Sequence, residues 1–135
     1  MNSCVFCSIV AGTLPSHRIY ESDRAIVILD IHPVNPGHAL AIPKKHSTNI
    51  FDIERDDWLA VAEAVHAVAP AIERAVQADG VNITMNNREH AGQVIHHPHV
   101  HLIPRFKNDN FSRWPHKEYA QGEATEIAEK IRSVL

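Results

Sequence analysis

Five of the chain's 11 histidines fall between His90 and His101. Within that window the run His97-Pro98-His99-Val100-His101-Leu102-Ile103 alternates imidazoles with apolar side chains. In an extended strand successive side chains point to opposite faces. His97, His99, His101 and Ile103 therefore share one face, and Pro98, Val100 and Leu102 share the other, fit to pack on a core. An imidazole with its ordinary pKa near 6.5 offers a neutral, nucleophilic nitrogen at pH 7. A row of such rings suits group transfer at phosphorus, where one ring attacks and its neighbours bind or protonate oxygens. A metal site is the alternative. At about 3.4 Å per residue the Cα atoms of His97 and His101 are roughly 14 Å apart, so one zinc cannot take all three rings without a severe bend. Two of the three can share an ion. Spacing alone leaves catalysis, metal binding and chance open.

The chain's two cysteines, Cys4 and Cys7, form a C-x-x-C pair. In a reducing compartment such a pair is more often a metal half-site or redox motif than a structural staple. By itself it supplies only two of the four donors a structural zinc needs.

The elements that must position these residues follow from pattern. Arg18–Glu21 and Ala25–Asp30 are rich in β-formers and flank a polar Ser22-Asp23-Arg24 turn, which predicts a hairpin. Pro33, Pro36 and Gly37 mark a loop, and His38–Ile42 reads as a third strand closed by Pro43. Residues 54–78 form the clearest helix, with Leu59, Ala62, Val65, Ala69, Ile72 and Val76 as its apolar stripe. Asp56 and Asp57 suit its first turn, Gly80 its end, and Pro70 predicts a kink or local distortion. Gly80–Asn86 alternates as a fourth strand, residues 97–104 as a fifth, and residues 117–134 read as helical despite Gly122. Segregated helices and hairpin-length connections favour an α+β fold with an antiparallel sheet.

Composition narrows the class. At 135 residues, with 44% hydrophobic and 21% charged residues, the chain has the size of one compact globular domain. Its net charge, 13 − 16 = −3, gives no drive toward nucleic acid or an anionic membrane. No apolar run approaches the roughly 20 residues that span a bilayer. The N-terminal MNSCVFCSIVAG lacks a basic leader, so a cytoplasmic protein is expected.

The motif HPHVHLI at 97–103 resembles the His-φ-His-φ-His-φ-φ signature of the histidine triad (HIT) family of nucleotide hydrolases and transferases. The likeness extends through Ala91-Gly92-Gln93 and through LDIHPVNPGHALAIPKKH at 29–46, and covers about residues 4–105. Residues 106–135 form a variable tail of what is then one HIT-like domain over 1–135. The resemblance implies a five-stranded antiparallel sheet with one long and one short N-terminal helix, assembled as a homodimer. It implies hydrolysis at the α-phosphorus of a nucleoside 5′-monophosphate conjugate, a phosphoramidate or similar, releasing a purine nucleoside monophosphate. His99 would be the nucleophile that carries the nucleotidyl group. His101 would bind an oxygen and assist the leaving group, and His38 would support the triad. Phe6 and Ile31 would wall the base and Asp30 would accept the ribose hydroxyls. Asn86 would contact ribose or phosphate, and Gln93 with Val94 would lie at the phosphate oxygens. Zinc-bearing relatives with a C-x-x-C imply a structural zinc held by Cys4, Cys7, His46 and His97.

Val94 stands where many phosphoramidase members carry a serine, so a hydroxyl near the leaving group is missing. The alternatives are a dinucleoside polyphosphate hydrolase, a nucleotidyltransferase, or a nucleotide-binding interaction protein with incidental turnover. Surface placement is expected for His17, His66, His96 and His116, whereas His32 and His90 fall in loops that could border substrate.

Overall fold

A computed structural model describes residues 3–135. The elements run α1 (Val5–Val10), β1 (Arg18–Glu21), β2 (Ala25–Leu29), β3 (Ala39–Pro43) and α2 (Arg55–Val76), followed by β4 (Gly80–Met85), β5 (Val100–Arg105) and α3 (Glu123–Arg132). The five strands form one antiparallel sheet in the order β1-β2-β3-β5-β4. The architecture is α+β, as the segregation of elements predicts, with α2 carrying the chain from β3 to the edge strand β4.

Alternation along the central strands separates two cores. Ala25, Val27, Ala39, Ala41, Val100 and Leu102 point toward α2 and pack with Val61, Ala64, Val68 and Ile72. Ile26, Ile28, Leu40 and Ile42 point the other way and pack with Phe6 and Ile9 of α1. Small alanines on one side and larger aliphatics on the other let the long helix lie close to the sheet. Asp57, in the first turn of α2, is buried and paired at 2.9 Å with Arg24 from the hairpin turn.

Four sequence expectations need correction. The helical stripe is rotated: Val61, Ala64, Val68 and Ile72 are buried, while Leu59 and Ala62 face outward. The helix is rich in Ala and Val all round, so its apolar period fits more than one face. The helix ends at Gln77 in a left-handed conformation, and Gly80 instead opens β4. The fifth strand begins at Val100, not at His97. Pro98 has no N–H to give a ladder, and the segment before β5 turns His97 into the protein, where it is fully buried. The C-terminal helix starts only at Glu123, after Gly122 at φ +79°. The long helix continues through the exposed Pro70 to Val76.

Among the described residues no helix is long and apolar enough to cross a membrane.

Candidate active site

A cavity of about 680 Å³ opens between α1 and the sheet face that bears Ile28, Leu40 and His101. Its inner wall is apolar, from Phe6, Ile9 and Leu14 to Ile28 and Leu40, and Ile31 and Val94 stand at its mouth, both largely exposed. Its polar end carries Asp30, Asn86, His99 and His101. Register explains why these meet. Leu40 of β3 and Thr84 of β4 both pair with His101 of β5, which places His101 at the centre of that face. His38 precedes Leu40 by one pleat and falls on the same side.

The hydrogen bonds fix the tautomer of each ring. His99 Nδ1 lies 2.8 Å from the main-chain carbonyl of His97. A carbonyl only accepts, so the proton of the neutral ring is on Nδ1 and Nε2 is bare. The Val34 N–H donates to His38 Nδ1 at 3.0 Å, so the proton of neutral His38 is on Nε2. That Nε2–H lies 2.9 Å from His101 Nδ1 and donates to it. His101 in turn carries its own proton on Nε2. The site therefore presents one ring with a bare nitrogen beside one with an N–H, their centroids 5.2 Å apart. Asp30, His38 and His101 bring three donor atoms within 4.8 Å of one another, as a metal site would. With His38 Nε2 protonated, however, the trio is a hydrogen-bond chain rather than a ligand set.

Burial keeps these rings neutral. It pushes His99 below the usual imidazole value against the opposing pull of the His97 carbonyl and the Asp30 charge. His101 is pushed down to about 4, first by burial and then by repulsion from His99 and His38. His38 is lowered by burial, partly offset by Asp30.

Loop geometry sets the polar groups. Asp30 Oδ1 accepts the His32 N–H at 2.8 Å, the turn role common for aspartate, while Oδ2 lies 3.5 Å from His38 Nε2. Asn35 ties this loop to the end of β5 by donating to Asp109 and to the Pro104 carbonyl, both at 2.9 Å. Asn86 donates to the Gly92 carbonyl at 3.5 Å. Gly92 sits at φ +91°, a left-handed conformation that favours glycine, and the position packs at ordinary contact distance from Asn86.

Gln93 is placed differently from its expectation. Its side chain is buried and does not line the cavity. Its Nε2 donates to the Thr48 and Ile95 carbonyls at 2.6 and 3.0 Å, and its Oε1 accepts from the Arg88 N–H at 2.8 Å and from Asn49 at 3.3 Å. All four positions of the amide are used within the protein, joining the loop after β3 to the loop before β5. Asn49, buried beside it, carried no sequence signal. His17, His66, His96 and His116 are exposed, as expected. His32 borders the cavity; His90 is exposed and does not line it.

A second cluster lies behind His99. Cys4, Cys7, His46 and His97 bring four donor atoms within 4.8 Å of one another. His97 Nε2 lies 2.8 Å from the Pro43 carbonyl, so its proton is there and its bare Nδ1 faces the cluster. That Nδ1 is 3.5 Å from each sulfur and 3.2 Å from His46 Nδ1, and Cys7 Sγ is 3.3 Å from His46 Nδ1. Tetrahedral zinc, with bonds of about 2.3 Å to sulfur and 2.0–2.1 Å to nitrogen, sets neighbouring donors about 3.3–3.8 Å apart. The cluster can coordinate a metal, and its spacing fits that ion. Spacing in sequence offered the two sulfurs and the family resemblance named His46 and His97; the fold brings the four together.

The HIT domain family profile matches residues 11–108. The chain is 40% identical over 108 residues to Adenylylsulfatase HINT3 of Arabidopsis thaliana, covering 80% of this chain and 55% of that protein. It superposes with a TM-score of 0.93 on the crystal structure of a HIT family member from Bacillus subtilis, at 33% identity over 99% of this chain and 98% of that one. A zinc-bound histidine triad family protein from Mycobacterium smegmatis gives 0.77 at 35% identity, over 98% of each chain. The chain belongs to the HIT family.

Proposed function

We propose that the protein hydrolyses nucleoside 5′-monophosphate conjugates at the α-phosphorus through a nucleotidyl group carried on His99. One observation carries this reading: the bare Nε2 of His99 beside the Nε2–H of His101, at the polar end of an apolar cavity. His99 Nε2 attacks phosphorus, the bond to the leaving group breaks, and water then releases the nucleoside monophosphate. His101, neutral at pH 7, donates its Nε2–H to a phosphoryl oxygen, and His38 fixes that orientation from behind. Phe6 and Ile31 flank the base, Asp30 takes the ribose hydroxyls, and Asn86 and Val94 border the phosphate. Gln93 acts by shaping the loop rather than by touching substrate. The chain's resemblance to an adenylylsulfatase supports the substrate class, since an adenylyl group bonded to sulfate is one such conjugate.

Cys4, Cys7, His46 and His97 hold zinc in this proposal, in a structural role that anchors α1. The Zn-bound relative supports it. The assembly is a homodimer through the free edge of β4, with Ile83 exposed, and the outer face of α2.

The test is a panel of adenosine phosphoramidate, adenylyl sulfate, diadenosine polyphosphates and nucleotide sugars with products identified. AMP release from the first two is expected to be lost in His99→Ala, which still binds AMP. Undiminished turnover in that variant contradicts the assignment.

A further inference from the structure

The donor cluster and the cavity are not independent, because two residues, Phe6 of the cavity wall and His97 of the cluster, connect them. Phe6 lies between Cys4 and Cys7 in sequence, and its ring meets His97 edge-on at 5.8 Å and His99 at 5.1 Å. It also forms part of the cavity wall. His97 gives its ring to the cluster and its carbonyl to His99. The helix bearing Phe6 is only six residues long, and its N-cap Cys4 makes no side-chain capping bond. So short a helix is not stable by itself; the packing of Phe6 and Ile9 on the sheet and the donor cluster at Cys4 and Cys7 hold it in place.

We propose that Cys4 and Cys7 are a site of reversible two-electron oxidation, and that closing their disulfide withdraws the anchor of α1 from the cavity wall. The oxidant is a peroxide. One thiolate attacks a peroxide oxygen, the O–O bond breaks, hydroxide leaves and a sulfenic acid remains. The second thiolate attacks that sulfur, the S–S bond forms, the S–O bond breaks and a second hydroxide leaves. Two thiolates are oxidised and one peroxide is reduced to two hydroxides. Both sulfurs lie within 4.8 Å as members of one donor set, both are partly exposed, and the chain has no other cysteine. A disulfide has no thiolate left for a metal, so His46 and His97 alone remain. The consequence is a nucleotide pocket whose wall loosens under oxidant and is restored by thiol and zinc. Its effect on nucleotide rests on the functional reading above; the oxidation itself does not.

The test titrates zinc-loaded protein with hydrogen peroxide beside a chromogenic zinc indicator. Expected are release of about one zinc per chain, a mass loss of two hydrogens, and a Cys4–Cys7 crosslink within one chain. Amide exchange across residues 4–12 should rise, AMP binding should weaken on the order of tenfold as the Phe6 wall is lost, and dithiothreitol with zinc should restore both. Zinc retained at peroxide excess, or sulfinic acids in place of the crosslink, overturns the oxidation site. Disulfide formation with unchanged AMP affinity overturns the coupling. Reduced, zinc-loaded protein that binds no AMP refutes the nucleotide reading, while the zinc and mass readouts still decide the oxidation.

Discussion

The main-chain carbonyl of His97 lies 2.8 Å from Nδ1 of His99, while the ring of the same His97 turns its own Nδ1 toward Cys4, Cys7 and His46. One residue thus sets the tautomer of the proposed nucleophile with its backbone and completes the donor cluster with its side chain. The alternation of the motif places the three rings, but their division of labour comes from the turn before β5.

His38 is expected to act through His101. His38→Ala leaves His101 Nδ1 without its donor, so the ring can rotate or change tautomer. The loss should be about tenfold in kcat, the worth of one buried hydrogen bond of about 1–1.5 kcal/mol, with KM nearly unchanged. Steady-state kinetics on a nucleotide conjugate measures this, and a pure KM effect contradicts it.

Gln93 is expected to matter for stability before chemistry. Gln93→Leu strands the Arg88 N–H and the Thr48 and Ile95 carbonyls, each otherwise satisfied by the amide. The cost should be about 1–2 kcal/mol in urea unfolding, since partly buried groups left unpaired keep part of their desolvation penalty. Unchanged stability with lost phosphate binding would return Gln93 to the substrate.

The depressed histidines set the pH dependence. In the proposed mechanism His99 attacks as the neutral ring, so kcat/KM should fall as pH drops through its folded pKa, which lies below 6.5. The charge of Asp30 raises both His99 and His101, so Asp30→Asn should move the acid limb further down. Stability follows the same sign: unfolded histidines take up protons near 6.5 where the buried rings do not. It is full above about 6.5 and declines as pH falls toward about 4, where His101 titrates. An acid limb at or above 6.5 in the wild-type pH profile contradicts this.

Much of this arrangement was legible in the residues themselves. The β-rich runs Ala25–Leu29 and Ala39–Ile42 and the alternating Val100–Ile103 mark three central strands, and apart from Leu102 the buried strand positions facing α2 are alanine or valine. The buried stripe of α2 was not legible, because the exposed Leu59 and Ala62 are as apolar as the buried Val61 and Ala64, and only the sheet selects among them. Spacing alone showed half of the donor cluster, since the pairing of a C-x-x-C with His46 and His97 depends on where α1 docks, and only the family resemblance named the two histidines. Gln93 and Asn49 form a buried amide pair joining two loops, and neither residue type at its position announces that. The hydrogen bond from the Val34 backbone that fixes the proton of His38 leaves no trace in side-chain identity.

In the proposed mechanism His99 becomes covalently bonded to the nucleotide. Protein mixed with a nucleotide conjugate, quenched rapidly without acid and weighed intact should show a transient gain of one nucleotidyl group, mapped by peptide to His99 and absent from His99→Ala. Steady hydrolysis with no such adduct at any time, or an adduct on another residue, contradicts it.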